Sequence, residues 1–351
     1  MVAASVDNRA CDSMLWKICA ALALTVAAGA TTLLSHFPSG ADGGREAYRR
    51  PLQIPYPDDN LYSAEKAELG RLLFFDPILS GAGVRSCGTC HNPLLSWGDG
   101  RPRAIGEGDN ALALRSPTLL TVAWTPRLGW DGKFRDLEAV AFGPITSPVN
   151  MNLTEAKLIE RLSSIPGYVD AFAAAFGPSG ITRRNIELAL ATFQRSIPVP
   201  STPFDRWVEG DESAIGAAAK RGFAIFNDKG RCATCHGGFA FTDSSFHDIG
   251  SAKDIDIGRG RQFTNSVKLR YAFKTPTLRD AALRAPYMHD GSIATLEEVI
   301  DLYDRGGIER PSRSVLIRPL GLTDTERSDL IAFLNTLSAP PQEASLPKLP
   351  R

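Results

Sequence analysis

Histidine is scarce in this chain. There are five in 351 residues, and none lies between His91 and His236. Methionine is limited to four and cysteine to six. An excess of charge of either sign is also missing, since 39 Lys+Arg balance 39 Asp+Glu. No basic stretch is present, which argues against a nucleic-acid partner. Strand-period alternation does not persist for long, so an extended sheet is not expected. Beyond the N-terminal segment there is no long apolar run. Two cysteines, Cys11 and Cys19, fall in that segment, which leaves too few for a disulfide framework.

The other four cysteines are all used by one motif, present twice. Cys87-Gly88-Thr89-Cys90-His91 and Cys232-Ala233-Thr234-Cys235-His236 are both C-x-x-C-H, the pattern of c-type haem attachment. Two thiols at this spacing reach two vinyl groups along one porphyrin edge, and the next residue turns its imidazole under the iron. A single copy can arise by chance or serve redox or zinc chemistry; two copies point to two covalently bound haem c groups.

Length suits two domains with ample core. Residues 1–37 read as a signal peptide or an N-terminal anchor. Met14-Leu15-Trp16-Lys17 precedes the apolar run 18–28, and Ala28-Gly29-Ala30 fits a small-x-small cleavage site. The uncharged stretch continues to Leu34, so an uncleaved anchor is the other reading, although it is marginal for a span. Export to the periplasm agrees with the haem chemistry, and membrane contact is expected only if the segment is retained. Residues 38–60, rich in Pro, Gly and charge, read as a linker.

The remainder repeats itself. A helix from Ala64 to Phe75, capped by Ser63, leads towards the first haem motif, and one from Ala214 to Phe226 leads towards the second. Each half closes with an amphipathic helix, Arg183–Ser196 and Thr323–Leu337, the latter opening on a Thr323/Glu326 capping box. The expectation is an all-α protein of two cytochrome c-like haem domains with long loops: an N-terminal one over 61–205, a C-terminal one over 206–340, and a tail over 341–351.

Counting ligands separates the two irons. With no second imidazole in its own half, the first iron is expected to be five-coordinate or water-bound, Met151 being the one local thioether. An open iron means catalysis or ligand binding rather than simple electron carriage. The second iron has more candidates in His247, Met288, His289 and several tyrosines. Leu296, Val299, Ile300 and Tyr303 share one face of a helix capped by Thr295 and Glu298. By pattern alone Tyr303 is more often a core residue than a ligand.

From Tyr56 to Leu337 the order of motifs resembles bacterial diheme cytochrome c peroxidases and their MauG relatives. The matching pieces are 69–76 (LGRLLFFD), the first haem motif, Arg115-Ser116-Pro117-Thr118, Trp130-Asp131-Gly132, Gly143-Pro144, 273–279 (FKTPTLR) and Pro286-Tyr287-Met288-His289-Asp290-Gly291. The resemblance implies an active-site haem in the first domain and an electron-transfer haem in the second, with His91 and His236 as axial ligands. Ordinary members carry a switchable His sixteen residues past the first haem His, where this chain has Glu107. They carry a Met ligand fourteen residues past the turn histidine, where this chain has Tyr303. Tyrosine there is the MauG-like pattern, and a phenolate favours oxidised iron where a thioether favours reduced iron. Trp130 takes the place of the interhaem Trp, and His289 that of a residue near haem propionates.

Two positions depart from the family. Asn150 stands where a distal Glu is usual, and Pro144 is a further catalytic candidate; with an amide in that place, either Glu107 substitutes, or peroxide activation is slower, or the pocket serves another purpose. Arg115 replaces an Asn expected at an interdomain calcium, leaving calcium uncertain, and its guanidinium is a candidate replacement for the cation. The implied function is MauG-type oxidation: hydrogen peroxide supplies two oxidising equivalents, held across both haems, and a partner protein is oxidised. The alternatives are a respiratory-type peroxidase fed by a small cytochrome c or copper protein, and a non-enzymatic diheme electron carrier or sensor.

Overall fold

The computed structural model describes residues 44–340 and 344–350; the expected signal or anchor lies outside them. Among the described residues, no helix is long and apolar enough to cross a membrane. Residues 45–351 form one compact unit with two apolar cores.

Helices build both cores. In the first half these are α1 (Ala64–Phe75), α2 (Cys87–Cys90), α3 (Leu137–Val140), α4 (Phe142–Thr146), α5 (Glu155–Ser163), α6 (Pro166–Phe176) and α7 (Arg183–Ser196). The rest are α8 (Pro203–Val208), α9 (Ala217–Asn227), α10 (Ala233–His236), α11 (Leu296–Arg305) and α12 (Asp324–Asn335). The only sheet among the described residues is a two-stranded antiparallel pair, Phe246–His247 with Phe273–Lys274. The side-chain caps fall where the sequence put them: Ser63 accepts from the Lys66 amide, Thr295 and Thr323 form reciprocal boxes with Glu298 and Glu326. The helix expected from Ala214 starts instead at Ala217 after an extended Gly216, because Asp211 and Ser213 close a separate turn ahead of it.

Each core is built around one crossing of its first and last long helices. On α1, a Cβ at Gly70 would lie 2.0 Å from the Ala189 carbonyl oxygen of α7. On α9, one at Gly222 would lie 1.9 Å from the Asp329 carbonyl of α12. Only glycine permits either approach. Around them Leu69, Leu73, Phe74, Ile186 and Leu190 fill the first core, and Phe223, Phe226, Leu330 and Phe333 the second.

Part of the segment expected to be a linker is packed. Tyr48 is 2% exposed in the second core, and Asn60 is buried against Glu138 and Thr192 of the first half. An aromatic ring and a buried amide give this stretch its anchors, despite its loop-like composition. Phe204 likewise joins the second core, donating its amide to Thr336 O. Near the C-terminus, Pro350 returns to Gly167 at the start of α6.

The halves meet through two hairpins of the same design. Leu128 bridges Phe134 around Trp130-Asp131-Gly132, and Tyr287 bridges Ile293 around His289-Asp290-Gly291. The first hairpin is gripped by the second half, where Arg259 Nη1 donates to the Asp131 carbonyl at 2.8 Å. The second hairpin sets Gly291 against Pro102 of the first half.

Candidate active site

Each haem motif makes one short helical turn that delivers its histidine to a cavity. The first cavity, about 500 Å³, is lined by Cys87, Cys90 and His91 together with Pro144, Asn150 and Met151. The second, about 190 Å³, is lined by Cys232, Cys235, His236 and the face of α11 that carries Leu296, Val299, Ile300 and Tyr303. The helix face read from the sequence is therefore the one that borders the cavity.

Both histidines have their tautomer set by the backbone. His91 Nδ1 lies 3.2 Å from the Trp97 carbonyl, and His236 Nδ1 lies 2.9 Å from that of Phe241. A carbonyl only accepts, so Nδ1 carries the proton and Nε2 keeps its lone pair for a metal. Burial lowers both imidazole pKa values against the raising effect of these carbonyls, so each ring is neutral at pH 7. The acceptors were not foreseen. Both come from left-handed residues (Trp97 at φ 60°, Phe241 at φ 50°) that aim the carbonyl at the ring. Burial also pushes the Cys87 and Cys232 thiols up to about 12. Neutral imidazoles beside buried thiols, at the mouth of apolar cavities, fit haem c in both halves. Cys235, Asp243 and His247 also cluster within 4.8 Å, but that sulfur is the one a thioether takes.

In the second cavity the Tyr303 hydroxyl makes no hydrogen bond among the described residues, and burial, with the neighbouring cysteine sulfurs, raises its pKa. The rival imidazoles are engaged: His247 Nε2 lies 2.9 Å from Asp243, and His289 Nε2 lies 2.8 Å from Asp256. His289 also stacks on Phe273 with centroids 3.7 Å apart.

Trp130 borders both cavities, as do Lys274, Pro276, Tyr287 and Met288. Its indole Nε1 donates to the Arg115 carbonyl at 3.0 Å, and its ring meets His289 edge-on at 6.5 Å. Trp130 and His289 are equivalent positions of an internal repeat. Arg115 and Lys274, Trp130 and His289, Pro144 and Tyr303 are each separated by 159 positions. The hydrogen bonds repeat as well: the Arg115 amide donates to His289 O at 3.0 Å, and the Lys274 amide to Trp130 O at 2.8 Å. This offset could have been found in the sequence, and it puts Pro144 at the register of Tyr303.

One expectation changes. Glu107 does not line the first cavity; its amide donates to Val149 O at 3.2 Å and its buried Oε2 has no partner. It stands behind the Val149–Asn150 backbone because Gly106 abuts the Val149 carbonyl. Asn150 thus remains on the wall without that carboxylate. At the expected calcium position, Arg115 Nη2 donates to the Arg284 carbonyl at 3.0 Å, so a guanidinium proton occupies an oxygen that a cation would use.

Two helical halves, two C-x-x-C-H motifs on neighbouring cavities and an aromatic seam between them define a di-haem c-type peroxidase. The family model described as di-haem cytochrome c peroxidase matches residues 64–213, and that of cytochrome c matches residues 219–338. Methylamine utilization protein MauG of Methylorubrum extorquens is 48% identical over 333 residues, covering 94% of each chain. Cytochrome-c peroxidase IdrP1 of a Pseudomonas species is 35% identical, over 91% of this chain and 90% of the relative. A solved MauG-like protein associated with microbial copper homeostasis superposes with a TM-score of 0.77 at 31% identity, over 82% of this chain and 94% of that one. The chain belongs to the di-haem cytochrome c peroxidase/MauG family. It is a peroxidase-type oxidoreductase carrying two covalent haem c groups.

Proposed function

We propose that this enzyme works in the MauG manner, using hydrogen peroxide to oxidise a partner protein, and that the partner belongs to methylamine utilisation. The observation that carries the reading is Tyr303. It lines the second cavity with His236, and the competing imidazoles there are tied to carboxylates. The greater identity to a methylamine utilization protein (48%) than to a cytochrome-c peroxidase (35%) supports the same branch.

The roles follow from the residues. His91 would hold the first iron, with His236 and Tyr303 holding the second. Haem supplies the redox-active iron and the reaction with peroxide. Pro144 has no side-chain donor atom, so it leaves room for an oxidant. The Asn150 amide can donate a hydrogen bond to a peroxide oxygen but cannot carry its proton, which makes proton handling the slow part. Trp130, donating to a carbonyl that tolerates positive charge on the indole, offers the path between the cavities. A Tyr303 phenolate would keep the second haem low in potential, a poor acceptor from small c-type donors. We further propose that the chain is exported and acts in the periplasm, which cell fractionation tests.

The test compares wild type with Tyr303→Met. Optical potentiometry is expected to give a lower second-haem potential in wild type. Peroxide-driven oxidation of a reduced small cytochrome is expected to be slow in wild type and faster in the variant. Methylamine-utilisation proteins incubated with enzyme and peroxide are expected to show an oxidative mass change. A wild-type second haem with His/Met spectra and rapid cytochrome oxidation would refute the proposal.

A further inference from the structure

Three cationic side chains line the first cavity with no ion pair among the described residues. Arg115, Lys274 and Arg284 all line it, and Lys274 borders the second cavity too. The Nε atoms of Arg115 and Arg284 are buried with no hydrogen-bond partner. Arg284 Nη2 donates to the carbonyls of Thr277 at 2.8 Å and Arg279 at 2.9 Å, and Arg115 Nη2 to that of Arg284. Backbone oxygens thus satisfy some N–H groups and leave the charge unpaired. Asp99 and Asp280 are the acids whose charge reaches the pair. Both are engaged elsewhere, Asp99 by the Ser116 hydroxyl and Asp280 by the Ala339 amide.

Desolvation acts on the same side chains. Burial pulls Lys274 down to about 8, and burial with the charge of Arg115 pulls Arg284 down to about 10. Cations buried beside an open cavity are expensive unless an anion arrives with the ligand. Haem brings such anions. Its vinyls are consumed at the cysteines, and its two propionates are the only charged groups on its periphery.

We propose that Arg115, Lys274 and Arg284 form a carboxylate subsite at the seam, with the two arginines binding propionates of the first haem and Lys274 shared between both. The internal repeat supports this division. Arg115 and Lys274 are equivalent positions, each clamped by its amide to the aromatic of the opposite half, His289 or Trp130. The Arg115 carbonyl further accepts a hydrogen bond from Trp130 Nε1. One residue therefore joins the first haem's carboxylates to the residue placed between the haems.

The test reads haem potentials and propionate vibrations, not turnover. A nearby cation stabilises the reduced haem, so neutralising it lowers the potential. Arg115→Gln and Arg284→Gln are expected to lower the first haem alone and Lys274→Gln to lower both, with resonance-Raman propionate bands shifted in each. Arg115→Lys keeps the charge but loses the fork; its potential is expected to stay near wild type while the bands move. If Arg115→Gln fails to mature with two haems, Arg115→Lys and Lys274→Gln decide. Mature variants with unmoved potentials and unmoved propionate bands would overturn the assignment.

Discussion

At the scale of the residue, the chemistry rests on which lone pairs are free. His91 and His236 each give Nδ1–H to a carbonyl and keep Nε2, whereas His247 and His289 have theirs committed to Asp243 and Asp256. The sequence named the two haem histidines from their motif. It could not rank the other imidazoles, because the acids that engage them are four and thirty-three positions away. Arg115 is the second case. Its guanidinium donates to the Arg284 carbonyl, and a donor beside that oxygen repels a divalent cation. Treatment with a chelator is therefore expected to leave both haem spectra and the melting temperature unchanged, and metal analysis to find well under one calcium per chain. Stoichiometric calcium, with a chelator-sensitive spectrum, would show that the arginine does not replace the ion.

At the scale of the element, the same helical register carries opposite residues in the two halves. α11 runs unbroken from Leu296 to Arg305 and presents Tyr303, while the equivalent stretch is split into α3 and α4 with Pro144 in the second piece. Proline lacks the amide that would continue the ladder and a side chain that could bind iron. Pro144→Tyr is accordingly expected to convert the first haem from high-spin to low-spin and to slow its reaction with peroxide by tenfold or more, read by stopped-flow absorbance. A first haem that stayed high-spin would mean that the repeat does not set the open site. Helices with side-chain caps were legible from sequence because the cap and the apolar period are local. The hairpins were legible only in part: Gly129, Gly132 and Gly291 mark their turns with positive φ, but Met288 (φ 70°) is a residue type that gives no warning of that conformation. Gly70 and Gly222 each stand close to aromatics in the chain, but their function is an interhelical approach invisible in one helix. Gly222→Val is expected to cost about 1–3 kcal/mol or more by overpacking against Asp329, measured by denaturant unfolding of the holoprotein.

At the scale of the whole molecule, residues 45–60 tie the halves together through two buried ion pairs. In the first half Arg195 holds Glu138 bidentately at 2.6 and 2.8 Å, and Asn60 adds an amide donor at 2.8 Å. In the second half Arg279 holds Asp205 at 2.8 Å through both Nη atoms, and Arg50 adds a further donor at 3.2 Å. Sequence composition marked the segment as a linker, since one amide and one guanidinium do not change a hydropathy profile. Desolvation pushes both carboxyl pKa values up, but the hydrogen bonds and charges of their arginines outweigh it and hold both below ordinary values. Stability from such groups is fully present above their unfolded pKa values, near 4, and is lost as pH falls through the depressed folded values. Thermal melts of the holoprotein are therefore expected to be flat from neutral pH to about 5 and to fall steeply below 4. Removing one partner leaves a buried charge, so Arg279→Met is expected to cost about 3–5 kcal/mol. Arg50→Ala is expected to cost far less, because Arg50 is 31% exposed and the Arg279 fork remains. Equal losses in the two variants would place the strength in the segment itself; a small loss in Arg279→Met would show that the buried pair contributes little to joining the halves.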